Sequence, residues 1–198
     1  MVLLSIPFSI AISVPIGFYI SPRPKMARVV IYIASILMTI PSLALFGIMV
    51  VLLAPFNIGL GKVPAVLAIM LYSLLPIIRN TYTALNQVSP RMIEAARGMG
   101  LTKGQILFRI KLPLSIPVIM AGVRNAVVLG ISVATFASLV GAGGLGYYIF
   151  SGISRTNFLM VLSGALVVSF LGIAVNILLT KMEDLVTPKG LKITRVKE

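Results

Sequence analysis

Three residue types that carry much of protein chemistry are missing: the chain of 198 residues has no cysteine, no histidine and no tryptophan. Without cysteine there is neither disulfide nor thiol nucleophile. Without histidine the commonest metal ligand and the proton carrier suited to neutral pH are gone. Acidic residues are scarce as well, four against seventeen Lys and Arg. None of the four lies in the middle of an apolar run: Glu94 stands in a polar loop, and Glu183, Asp184 and Glu198 stand near the C-terminus. Carriers driven by protons or sodium usually place ionisable ligands at membrane depth, and no such cluster is visible. A Walker motif is also lacking, so any ATP-driven work must draw on another polypeptide. Enzymatic chemistry has little to stand on; no catalytic residue, metal ligand or cofactor is assigned to this chain.

What is present is apolar. Hydrophobic residues make up 59% of the chain and the mean hydropathy is +1.09, well above the range of soluble domains. The composition predicts an all-α, polytopic membrane protein forming one domain over residues 1–198. A spanning helix needs about 20 predominantly apolar residues, and five such stretches can be drawn, at about 2–20, 29–53, 63–82, 117–142 and 157–180. The N-terminal run lacks the basic start and small-residue cleavage site of a signal peptide, and reads as the first of these helices.

The net charge of +13 raises the question of nucleic acid. The distribution of the charge answers it. Lys and Arg number three in the turn at 21–28, six from Arg79 to Lys111 and five from Lys181 onward, whereas the two other loops hold only Lys62 and Arg155. This is a positive-inside asymmetry. It predicts an N-terminus outside, the 79–111 segment and a tail at about 181–198 in the cytoplasm, and basic residues that face lipid headgroups, not nucleic acid. Arg124 alone sits inside a span.

Inside the helices, Pro41 and Pro76 remove backbone donors and predict bends. Packing is the plainer account of them and a gating hinge the alternative, although Pro41 and Ser42 also leave a hydroxyl beside a kink. In the fourth stretch Gly122, Ala126, Gly130, Ala134, Ser138 and Ala142 recur at every fourth position and permit a close helix crossing. The stripe winds by about 40° per step, so a single crossing partner can meet only two or three of its members. It suits a partner in the same chain or a second copy equally. After it come Gly141, Gly143, Gly144 and Gly146, too many glycines for a stable helix, followed by Tyr147 and Tyr148, which suit a headgroup boundary.

The long polar interruption runs from Pro90 to Pro117. Ser89-Pro90 reads as a helix N-cap with proline in the first turn, and Gly98 and Gly100 as its stop. Thr102 with Gln105 three residues on forms a capping box. That second short helix is expected to end at Leu112-Pro113. The reading is a two-helix loop over about 86–117.

These residues resemble the EAA signature of membrane subunits of binding-protein-dependent ABC importers: Glu94-Ala95-Ala96, then Gly100, then Ile110, Leu112 and Pro113. A finer similarity, to permeases of the osmoprotectant branch that import glycine betaine, choline or carnitine, rests on 40–44, 75–82, 117–122 and the glycine run. The abrupt start and the Tyr147-Tyr148 pair depart from that pattern. The resemblance implies that the EAA segment docks on a cytoplasmic ATPase subunit, which would hold ATP and Mg. It also implies that an external binding protein delivers solute and that two permease subunits, identical or related, enclose the passage. Pro41, Ser42, Gly141, Gly143, Gly144 and Gly146 are the gate or pathway candidates. Methionine-type importers share the five-helix plan, and a passive channel or an assembly anchor is the alternative of another class.

Overall fold

The computed structural model describes residues 1–187, and the elements among them are all helical. In chain order they are α1 (Val2–Ile20), α2 (Pro24–Thr39), α3 (Ser42–Leu53), α4 (Lys62–Asn86), α5 (Pro90–Gly98), α6 (Lys103–Ile106), α7 (Leu112–Ala134), α8 (Gly146–Ser154) and α9 (Phe158–Val186). Four continuous stretches are long and apolar enough to cross a membrane, and the number is five if the bent pair α2–α3 is one span. The structure thus has four to five spans where about five are expected, and three of the expected boundaries differ.

The first difference is at Pro41. The stretch expected as one kinked helix over 29–53 is two helices, α2 and α3, whose axes differ by 96°. Proline pushes the preceding residue out of the helical region, and Ile40 is extended, with φ −65° and ψ 124°. By contrast α4 runs unbroken through Pro76, and α1 through Pro7 and Pro15.

The second lies at Leu112-Pro113, which does not end a helix. Helical backbone continues from Lys103 through α7 to Val140 by way of a π turn over Leu107–Lys111 and, at the far end, a 3-10 turn over Thr135–Val140. Pro113 falls in the first turn of α7, just after the π turn has changed the hydrogen-bond register, where its missing N–H costs little. The third is the tail. Residues 181–186 are the end of α9, and the rest of the expected tail, 188–198, lies outside the described residues.

The helix around which the others pack is α4. One of its faces receives α1, which presents Ser5, Ser9, Ser13 and Gly17, all buried and all four residues apart. The hydroxyls of Ser5 and Ser9 donate to the carbonyls of Val66 and Met70 on α4, at 3.0 and 3.3 Å. A β-carbon at Gly17 would fall 2.5 Å from the Thr81 methyl. Where lipid is as apolar as leucine, such close backbone approach and hydroxyl bonding are what join helices. The second face of α4 receives α7: a β-carbon at Gly122 would lie 2.6 Å from Asn80, and one at Gly130 3.3 Å from Ile69. Gly122, Ala126 and Gly130 of the small-residue stripe are thus used inside the chain. One core cluster joins Ile6, Ile77, Val123 and Ala126 from these three helices. Another joins Leu45 and Phe46 of α3 to Ala68, Ile69 and Tyr72 of α4 and to Ala137 and Val140.

Candidate functional site: a docking helix, a hinge and a glycine corner

Helix α5 projects at one end of the bundle as a separate short element. Pro90 opens it. Ser89 stands at the N-cap, but its hydroxyl makes no capping bond, so the serine contributes position and not a side-chain cap. Gly98 is helical, and Gly100 alone is the stop. At Gly100 φ is +81°, while the Leu101 N–H reaches the Ala96 carbonyl at 3.1 Å and the Gly100 N–H reaches that of Arg97 at 2.9 Å. That is a Schellman ending, which needs a residue at ease in the left-handed region. The following helix begins with the expected capping box: the Gln105 N–H donates to the Thr102 hydroxyl at 3.3 Å, and the Thr102 N–H to the Gln105 side chain at 2.8 Å.

Of the motif residues Glu94, Ala95 and Ala96, only the first two lie on the outward face of α5. Ala96 is only 1% exposed and turns into the fold, whereas Met92, Ala95 and Met99 are exposed, Met99 at 72%. At three- and four-residue spacing these form one apolar stripe, with Arg91, Glu94 and Arg97 exposed beside it. Ile110, Leu112 and Pro113 do not share this surface. They are partly buried on the π turn and the start of α7. The motif thus divides between two elements, α5 and the start of the long helix that follows it.

The gate candidates are brought together indirectly. Pro41 and Ser42 start α3, and α3 rests through Leu45 and Phe46 on the turn holding Ala137 and Val140, which leads straight into the glycines. The Gly61 N–H donates to the Val140 carbonyl at 2.8 Å, fixing the turn to the start of α4. Gly141, Gly143 and Gly144 have φ of +77°, +70° and +101°, which side chains seldom adopt. Gly146 differs: it is the first residue of α8, and a β-carbon there would fall 1.9 Å from the Thr135 carbonyl oxygen.

Two groupings escaped the sequence reading. Arg124, the one basic residue placed within a span, lies 3.2 Å from the Glu183 carboxylate and 3.2 Å from the Thr180 hydroxyl, both on α9. Glu183 is 1% exposed and Arg124 28%, so the carboxylate assigned to a polar tail is inside the fold. An arginine in a span is itself the signal that a partner exists. Tyr32 and Tyr82, distant in sequence, line one depression of about 530 Å³ together with Arg79 and Thr83.

A family model described as "Binding-protein-dependent transport system inner membrane component" matches residues 9–189. The chain is 43% identical over 192 residues to the osmoprotectant import permease protein OsmW of Salmonella typhimurium, covering 97% of this chain and 89% of that protein. It is 40% identical over 190 residues to the glycine betaine/carnitine/choline transport system permease protein OpuCB of Bacillus subtilis, covering 96% and 85%. The fold is similar to a chain of the MetNI methionine ABC transporter in an inward-facing conformation, with a TM-score of 0.83 at 23% identity, covering 95% of this chain and 92% of that one.

Proposed function

The chain belongs to the family of binding-protein-dependent transport system inner membrane components, and from that membership we propose that it is the translocation subunit of an ATP-driven importer of small compatible solutes, of the glycine betaine, choline or carnitine kind. The single observation that carries the solute class is the identity of 40% or more, over nearly the whole chain, to permeases named for these solutes. The methionine alternative rests on fold likeness at 23% identity, which speaks for architecture alone.

In this reading the exposed stripe of α5, Met92, Ala95 and Met99 with Glu94 beside it, docks on a cytoplasmic ATPase subunit that binds ATP and Mg. Gly100, Ile110, Leu112 and Pro113 hold the helix so that force reaches α7. The unbroken helical backbone from Lys103 to Val140 supports this, because displacement at its cytoplasmic end is carried along one rigid rod to the glycine corner. That corner, with α3 hinged at Pro41 and Ser42, forms the gate at the outer mouth. The charge asymmetry supports an N-terminus outside and a cytoplasmic α5. A second permease subunit completes the passage, and an external binding protein supplies affinity and solute.

The test is reconstitution. Vesicles holding this chain with its ATPase should accumulate labelled glycine betaine only when ATP and the binding protein are both present. Uptake that continued without ATP would make the chain a passive channel and end the proposal.

A further inference from the structure

Every membrane-embedded surface of a single chain faces lipid, another subunit or water, and side-chain polarity distinguishes them. The outer face of α9 carries Leu166, Phe170 and Ile177, of which Phe170 is 75% exposed, as a lipid-facing surface should be. Another face of the same bundle is different in kind. On α9, Ser169, Gly172 and Asn176 stand among aliphatic side chains along a cavity of about 740 Å³ whose other wall, also mostly aliphatic, carries Asn125 and Ser132 of α7 and whose floor reaches Pro76 of α4. From Pro76 the surface continues into a second depression lined by Arg79, Asn80 and Thr83. Spacings of three and four residues place 76, 79 and 83 on one side of α4, 125 and 132 on one side of α7, and 169, 172 and 176 on one side of α9. Asn125, Ser132, Ser169 and Asn176 are all exposed.

An amide turned into hydrocarbon without a partner costs about 2 kcal/mol or more, so α7 and α9 would not turn Asn125 and Asn176 together toward lipid, whereas the Ser132 hydroxyl is met by its own helix through the Val128 carbonyl at 3.3 Å. Packing on α1 does not use this side either, since α1 meets α4 through Val66, Met70 and Thr81.

We propose that this open face of mixed polarity, with Arg79 and Thr83 of α4, Asn125 and Ser132 of α7 and Asn176 of α9 as its polar groups, is the wall of the solute passage, in contact with water during the transport cycle. The inference rests on the permease reading above and adds which surface the solute meets. Its chemistry is amide, hydroxyl and one guanidinium, with no carboxylate, suited to weak and repeated hydrogen bonding with a small zwitterion. Such a wall releases solute as readily as it accepts it.

The absence of cysteine makes the test direct. Single variants Asn125→Cys, Ser132→Cys and Asn176→Cys, with Phe170→Cys and Ile177→Cys as controls on the apolar face of α9, are assembled with the ATPase in vesicles. ATP-dependent uptake of glycine betaine is measured on the unmodified protein first. Labelling then uses a methanethiosulfonate reagent bearing a trimethylammonium group, which reacts with hydrated thiolate. The three wall positions should label at least about tenfold faster than the two controls, although the controls are exposed in the chain as well. Uptake retained with wall positions as slow as the controls would overturn the wall and leave the permease reading standing. Disulfides forming between two copies at these positions, with no labelling, would overturn it in favour of a subunit contact. Failure of the unmodified protein to accumulate solute would remove the permease reading, and the passage with it.

Discussion

The Tyr72 hydroxyl on α4 donates to the carbonyl of Ile40, the residue at which the chain turns from α2 into α3. Ile40 is extended, and Pro41 has no N–H, so this carbonyl belongs to neither helix's hydrogen-bond ladder. Tyr72 is itself buried, in the cluster that also holds Leu45 and Phe46 of α3. One side chain therefore satisfies the break and anchors the helix beyond it. Replacing Tyr72 by Phe keeps the ring and leaves the carbonyl unpaired at a cost of about 1 kcal/mol. A lower heat-unfolding midpoint of the purified protein is expected, together with a larger fractional loss of uptake than of ATPase association. An unchanged midpoint would mean that the break holds without Tyr72.

The pair Arg124–Glu183 fastens the end of α9 to the middle of α7 across 3.2 Å. A buried pair costs more to break than to lack, because the surviving charge stays buried while losing this partner. Arg124→Met alone should destabilise by about 3 kcal/mol, with the partial exposure of Arg124 pulling that figure down. Combining it with Glu183→Met should recover much of the loss. Unfolding midpoints of the two single variants and the double variant measure the coupling directly. Additive losses would show that the two residues act independently.

Gly100 carries the Schellman ending of α5 at φ +81° with open space around it. Gly100→Val is therefore a backbone test and not a steric one. Strain of about 1–2 kcal/mol should re-aim α5 while the spans stay intact. Glu94→Lys leaves the backbone alone and reverses one exposed charge. Both variants are expected to insert normally and to lose co-purification with the ATPase and ATP-dependent uptake. Full uptake by both would remove α5 from coupling.

Much of this architecture is legible in local sequence, and the rest fails for physical reasons that can be named. The spans follow from uninterrupted apolar length, and the Thr102–Gln105 box from two side chains reaching the nearest backbone donors. The sharpness of the Pro41 break was not legible, because Pro76 and Pro117 sit inside continuous helices. What distinguishes Pro41 is a tyrosine on another helix. Glu183 reads as a tail residue until Arg124 is seen opposite it. Pro113 reads as a stop until the π turn is seen to precede it. The α1 stripe of Ser5, Ser9, Ser13 and Gly17 was available to the same four-residue argument that found the one in α7. Roles at Glu94 and Gly100 came from resemblance to a motif; that Ala96 turns inward and Met99 outward came only with burial.

Arg79 offers the sharpest test of solute chemistry. It is exposed on α4 with Thr83 beside it and faces the depression that Tyr32 and Tyr82 also line. Among the described residues the one salt bridge is Arg124–Glu183, so this guanidinium is available to a solute. Glycine betaine carries both a carboxylate and a trimethylammonium group; choline carries only the second. A guanidinium favours the carboxylate by a charge-assisted hydrogen bond, while tyrosine rings accept the cation. Arg79→Gln keeps hydrogen-bonding capacity and removes the charge, a loss of about 1.5 kcal/mol for the carboxylate-bearing solute. Uptake of glycine betaine relative to choline, with a binding protein that delivers both, should therefore fall about tenfold at low solute concentration. ATPase association should not change. If both solutes lost uptake equally, Arg79 would serve packing or coupling; if neither did, the carboxylate passes this level without meeting it.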